Sequence, residues 1–210
     1  MEFYEVVDRR RTIRDFASTP VVPDAIQRAL EAGLKAPTYN HLREWDFVLV
    51  HEPAIRLQLV QAEGLSDEYD IEGLQHSFEG HDPLAANMYL DAIPKQKRML
   101  LAAPELLVVV FKPKTPVVDS RRVYDLNCLA SVWCCIENIL LALAAEGLYG
   151  VTYIPQNTPG IKAALGIPEH LEVAALIPFG HQTGQPRIPP QKGVDLAQKL
   201  HFDQWGERQA

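Results

Sequence analysis

Apolar residues recur at helical spacing from the start of the chain. Phe3, Val6, Val7 and Arg10 share one face of a helix predicted over residues 2–10. Pro20 and Pro23 break the chain, and Pro23-Asp24 opens a second helix, since both residue types suit a first turn. Ile26, Ala29, Leu30, Gly33 and Leu34 form its inward stripe, and Pro37 ends it. Residues 46–50 read as a strand. A helix over 52–63 carries Ile55, Leu57, Leu59 and Val60. From Gly64 to about Pro94 the periodicity fades into an acidic stretch containing His76 and His81, which reads as a solvated helical insert.

The second half is more apolar. Residues 105–111, Glu-Leu-Leu-Val-Val-Val-Phe, form a continuous run that belongs in the middle of a sheet, covered on both faces. Residues 124–146 make the longest helix, closed by Gly147. It is apolar nearly all round, so it must be covered on several sides, within the subunit or by a partner. Its Glu137 requires a partner, and an arginine from elsewhere in the chain is the expected one. Residues 147–155 turn into another strand. Thr158-Pro159 caps a short helix that runs to Leu165 and stops at Gly166-Ile167-Pro168. Residues 171–178 form the last core strand. The tail from Leu196 to Trp205 is amphipathic but too thin to fold alone.

With 210 residues, the chain is one domain with a sizeable core. A net charge of −7 excludes the broad basic face that general nucleic-acid binding needs. The three cysteines, Cys128, Cys134 and Cys135, lie in one apolar run with no second cluster to pair with. An odd count, with no basic-then-apolar leader, points to the reducing cytoplasm. The apolar run from Leu126 to Ala145 is interrupted by Glu137 and Asn138 and reads as a buried helix, not a membrane span. No compact metal-ligand spacing is present, and the serines lack a nucleophile elbow.

Against this acidic background, four arginines fall within six residues, at Arg9, Arg10, Arg11 and Arg14. Like charges this close repel, and an anionic ligand is the simplest compensation. A solvated helix end with surface arginines is the alternative. The absence of Gly-x-Gly-x-x-Gly after a strand argues against a Rossmann nucleotide site.

The stretch Arg-Arg-Thr-Ile-Arg-Asp-Phe, residues 10–16, resembles the N-terminal signature of the nitroreductase family of FMN-dependent oxidoreductases. So, in order, do Ala36-Pro37-Thr38 ahead of Trp45, Gly147-Leu148, Leu165-Gly166-Ile167-Pro168 and Phe179-Gly180-His181. The resemblance implies an α+β fold: a three-layer α/β/α sandwich around a mostly antiparallel sheet, assembled as an intertwined homodimer. It implies FMN held by Arg10, Arg11, Thr12, Arg14 and a late Arg187, with Lys192 as a fallback. A loop comprising Pro37, Thr38, Tyr39, Asn40, His41 and Arg43 would reach the flavin across the subunit boundary. Arg43 stands where a glutamine is usual, and its guanidinium suits a reduced flavin or a surface pairing with Glu44. Backbone at Tyr153, Ile154 and Pro155 would approach the flavin ring, with Gly180 completing the set. A variable insert at about 64–96 would cover the substrate pocket, and the tail from about 188 to 210 would wrap the other subunit. The implied chemistry is ping-pong hydride transfer from NADH or NADPH, through FMN, to a nitroaromatic, quinone or similar small-molecule acceptor. No side chain need be catalytic, because the isoalloxazine carries the electrons. Dehydrogenation or reductive dehalogenation on the same scaffold, or a flavin-binding dimer without turnover, are the alternatives.

Overall fold

The computed structural model describes residues 2–208, so the last two residues of the predicted tail lie outside the described residues. It divides into two compact units. One comprises the residues up to Tyr69 together with Ala92–Ile188, and the other Asp70–Asp91 together with the residues from Pro189 onward.

The larger unit is built on one sheet. Strands β1 (Trp45–Leu49), β2 (Glu105–Phe111), β3 (Tyr149–Gly150) and β4 (Glu172–Gly180) pair antiparallel in the order β1-β2-β4-β3. Successive strand residues point to opposite faces, so the apolar run of β2 supplies two cores at once. Leu107, Val109 and Phe111 join Ala175, Ile177 and Phe179 under one helical layer. Leu106, Val108 and Val110 join Val173 and Leu176 under the other. A bulge between Val109 and Val110, opposite Ala175 and Val173, leaves Ala174 in the same core as Ala175.

Helices α1 (Phe3–Arg9), α2 (Pro23–Leu34) and α7 (Asn127–Ala145) form the first layer. α2 meets α7 closely at Gly33, where an added Cβ would lie 2.7 Å from Ile139 Cγ1. Helices α3 (Pro53–Ala62), α6 (Gln96–Ala102) and α8 (Thr158–Leu165) cover the opposite face. The expected α+β sandwich, with helices on both faces of an antiparallel sheet, is therefore present. α7 is long and apolar enough to cross a membrane by length and composition; here it lies against α2 and the sheet, with Trp133 and Leu140 only partly covered. The three cysteines are free, and burial pushes the Cys135 thiol up to about 12.

In the smaller unit, α4 (Ile71–Ser77) begins at Asp70, whose carboxylate accepts from the Gly73 amide. Phe78 then stacks on Tyr89 of α5 (Pro83–Ala92), with ring centroids 5.0 Å apart. The tail holds one short turn, Leu196–Gln198, and a stacked His201–Trp205 pair.

Several local expectations are corrected. On α3, Leu57 is 44% exposed whereas Arg56, at 6%, lies inward, because carbonyls beneath the helix require a donor. Asn157, not Thr158, caps α8 by accepting from the Gly160 amide at 3.1 Å. The long helix starts at Asn127, after a 3₁₀ turn at Val123–Leu126 whose Asp125 accepts from Arg122. The strand expected over 147–155 shortens to two residues, and the chain rejoins the sheet only at the bridge from Tyr153 to Leu176.

Candidate functional site

The arginine-rich segment runs extended along the sheet edge between α1 and α2. Thr12 bridges in parallel to Gly150, and Phe16 bridges antiparallel to Gln182. The Ala17 amide donates to the His181 carbonyl at 2.9 Å, and the Thr183 amide to the Asp15 carbonyl at 3.1 Å. Ile13 is fully buried between these anchors. Strand alternation then turns Thr12 and Arg14 away from the side that buries Ile13.

Beside this segment lies a cleft of about 430 Å³. Arg14, Asp15 and Phe16 form one wall, Arg98, Met99 and Ala102 of α6 with Ala103 just past it a second, and Thr183, Gln185 and Arg187 a third. The structure thus brings together Arg14 and Arg187, two of the arginines assigned to the cofactor. The Asp15 carboxylate accepts from Lys95 Nζ at 2.6 Å and also from Arg98. Arg98 and Lys95 carried no motif; their place in this network became visible only in the fold.

Arg10 behaves differently. It faces Glu137 of α7, with Nε 3.6 Å from Oε1, which is the arginine partner expected, but the Glu137 side chain is 53% exposed, so burial does not demand the pair. Arg11 is exposed. Gly180 is buried at the end of β4, where an added Cβ would lie 2.7 Å from the Pro104 ring. Its lack of a side chain is explained by that contact.

The loop over 37–43 does not line the cleft. Its backbone is unusual: Asn40, His41 and Arg43 have φ of 52°, 57° and 49°, a region that costs most residues about 1 kcal/mol or more. Several bonds hold it. The Tyr39 amide donates to Ser131 Oγ at 2.8 Å, and the Arg43 amide to Thr38 Oγ1 at 3.3 Å. Arg43 Nε donates to the Leu34 carbonyl at 2.8 Å, at the end of α2, while Glu44 pairs with Lys112. The Tyr39 and Tyr124 hydroxyls are 2.6 Å apart, with Lys114 Nζ 3.4 Å from both. The hydrogen bond from Tyr124, aided by Lys114, holds the Tyr39 phenol below its usual range.

The segment after β3 has one organiser that sequence reasoning missed. Glu63, just past α3, accepts from the Tyr153 hydroxyl at 2.7 Å, the Gln156 amide at 2.8 Å and the Asn157 amide at 2.9 Å. Burial, then the bond to Glu63, pushes the Tyr153 phenol up. Tyr153 and Pro155 are buried and Ile154 is exposed. The available signal was a carboxylate at a helix C-terminus, which the helix dipole disfavours unless it has another task. Glu63→Gln should lower stability by about 2 kcal/mol in chemical denaturation, because a neutral amide cannot accept all three bonds equally well. A change below about 0.5 kcal/mol would remove Glu63 from this role. Among the described residues, no group of three His, Cys, Asp or Glu side chains is placed to hold a metal ion.

The nitroreductase family model matches residues 7–181, which include the arginine segment, all four strands and the late glycine. The chain belongs to the nitroreductase family. It is 25% identical over 201 residues to an iodotyrosine deiodinase of Haliscomenobacter hydrossis, covering 93% of this chain and 86% of that one. Among solved structures, it resembles an oxidized iodotyrosine deiodinase bound to FMN and 3-iodo-L-tyrosine, with a TM-score of 0.73 at 19% identity, over 97% of this chain and 100% of that one. It also resembles a mutant form of the FMN and NADPH-dependent nitroreductase NfnB from sphigopyxis sp. strain HMH, with a TM-score of 0.72 at 19% identity, over 97% and 99%. Membership of the family and the fold stand on these matches.

Proposed function

We propose that the protein is an FMN-dependent reductase, working as a homodimer, whose acceptor is a halogenated aromatic amino acid. The observation that carries this reading is the likeness to iodotyrosine deiodinase over 93% of the chain. The donor set of the cleft fits a phosphate-bearing flavin. Arg14 and Arg187 supply guanidinium groups for a near-dianionic phosphate, and Thr12 supplies a hydroxyl on the same edge. Residues 153–157, braced by Glu63, provide a fixed stretch of backbone for the ring.

FMN, when bound and reduced by two electrons from an external donor, would supply those two electrons to the acceptor and return to the oxidised form. In balance, an aryl carbon–halogen bond and a proton become a carbon–hydrogen bond and a halide ion. The protein's part is to bind and orient. Lys97 pairs with Asp67, and the nearby Tyr69 hydroxyl is buried without a hydrogen-bond partner. An ammonium and a carboxylate side by side are complementary to the zwitterionic head of an amino acid.

Homodimerisation is supported by two features. Phe3, Tyr4 and Val7 of α1 are exposed, and α7 keeps a partly covered apolar face. The strained loop over 37–43 lies outside its own subunit's cleft, and a second copy could bring it to the flavin.

Reduction of a nitroaromatic or quinone at the expense of NADH or NADPH is the second reading, favoured by the likeness to the NADPH-dependent nitroreductase. The test is anaerobic. The FMN-loaded protein is reduced with dithionite, freed of excess reductant, and mixed with 3-iodo-L-tyrosine. The expected result is reoxidation of the flavin with one iodide released per flavin. If iodotyrosine leaves the flavin reduced while a quinone reoxidises it at once, and NADH or NADPH bleaches it again, the second reading replaces the first. A reconstituted protein without flavin absorbance would end both.

A further inference from the structure

We infer that Arg98 is a third phosphate-binding residue of the Arg14–Arg187 cleft, and that Asp15 and Lys95 are positioning residues for it. The inference rests on the flavin reading above but assigns a contact outside the family signature.

The argument begins with charge. Three guanidinium groups line this cleft against one carboxylate, in a chain whose net charge is −7. The carboxylate is already committed. Asp15 bonds both Lys95 and Arg98, and its side chain is only 17% exposed. Arg98 is not a buried structural arginine: its side chain is 61% exposed at the cleft, and it contacts Asp15 through Nη2. A guanidinium carries five N–H donors, so this bond leaves others for a ligand.

The arrangement also has a physical purpose. A long arginine side chain loses rotamer freedom when it grips a ligand. Asp15 restrains Arg98 before the ligand arrives, which lowers the ordering cost at binding. It also reduces repulsion between Arg98 and Arg14, its neighbour in the chain, while no ligand is bound. The chemistry best matched by converging guanidinium groups is a phosphate monoester dianion. Two molecules could present it: the flavin nucleotide through its 5′-phosphate, or NADPH through its 2′-phosphate.

The experiment measures dissociation constants for FMN and riboflavin on full-length protein stripped of flavin, for wild type, Arg98→Gln, Arg98→Lys and Asp15→Asn. The thermal midpoint of each stripped protein controls for folding. On the FMN-loaded protein, NADPH and NADH binding are compared for the same variants. Arg98→Gln should weaken FMN about tenfold and leave riboflavin within about twofold. Arg98→Lys should retain part of the FMN preference, and Asp15→Asn should lower it in the same direction but less. If FMN is unchanged while the preference for NADPH over NADH falls about tenfold, the site stands and the phosphate is that of the nucleotide. Equal weakening of FMN and riboflavin would reveal a structural role and overturn the inference, as would four unchanged ligands. Should Arg98→Gln not fold, Arg98→Lys and Asp15→Asn carry the same ratio test. A wild-type protein that binds no flavin overturns the proposed function and this inference together. A wild type that binds FMN, with variants indistinguishable from it, overturns this inference alone.

Discussion

Replacing Arg56 with alanine lowers the free energy of unfolding by about 4 kcal/mol. Few single changes in this protein should cost more. The guanidinium is buried and fans over four carbonyls: Nε donates to Val50 at 2.8 Å, Nη1 to Ala103 at 2.5 Å and Leu101 at 3.4 Å, and Nη2 to Pro104 at 3.3 Å. Burial pulls its pKa below the usual arginine range, with Glu105 acting the other way, yet a guanidinium remains protonated in such sites. Alanine would leave those acceptors without their donor, each at about 1–3 kcal/mol before relaxation. It would also leave a cavity between α3 and the end of α6. Lysine should recover less than half of the loss, because one ammonium cannot span four acceptors. Denaturant titration of wild type, Arg56→Ala and Arg56→Lys measures this directly. A loss below about 1 kcal/mol would mean that water takes over the guanidinium's bonds.

Arg14→Ala weakens FMN on the order of 10- to 100-fold and leaves riboflavin nearly unchanged. The basis is the rigidity of the segment that carries Arg14. Thr12 and Phe16 are fixed to the sheet two residues to either side, and Ile13 is locked in the core. The guanidinium is therefore presented from a stiff backbone, and its removal cannot be compensated by a shift of the chain. Unfolding stability should move little, because Arg14 is not buried in the core. The readout is quenching of flavin fluorescence on titration. Full FMN occupancy in the alanine variant would place the phosphate elsewhere, whatever else the cleft binds.

The elements that were legible in the sequence share one property: their signal is local. The run over 105–111 could only be a strand buried on both faces, and β2 has that role. The stripe of Ile26, Ala29 and Gly33 marks the face of α2 that meets α7. The turn at Gly166 adopts φ of 64°, as a glycine that ends a helix does. The misreadings arose where two local signals competed. On α3, Leu57 outranked Arg56 by hydropathy, but hydropathy cannot register that four carbonyls lie beneath the helix. At α8, Thr158 and Asn157 are both good caps, and the path of the chain from Tyr153 chose Asn157.

The candidate site divides in the same way. The cluster of arginines and the order of the strands and helices follow from residue types and their spacing, because backbone preference and burial act over a few neighbours, whereas the late Arg187 was marked only by the resemblance to the family. The partnerships that define the cleft do not. Asp15 meets Arg98 across 83 residues, and Glu63 meets Tyr153 across 90. Arg10, close in the chain to Arg14, turns instead to Glu137. Such pairs depend on which elements the order β1-β2-β4-β3 sets side by side and on which layer each helix joins. Electrostatic attraction acts through space and carries no period along the chain, so only the folded arrangement could select these partners.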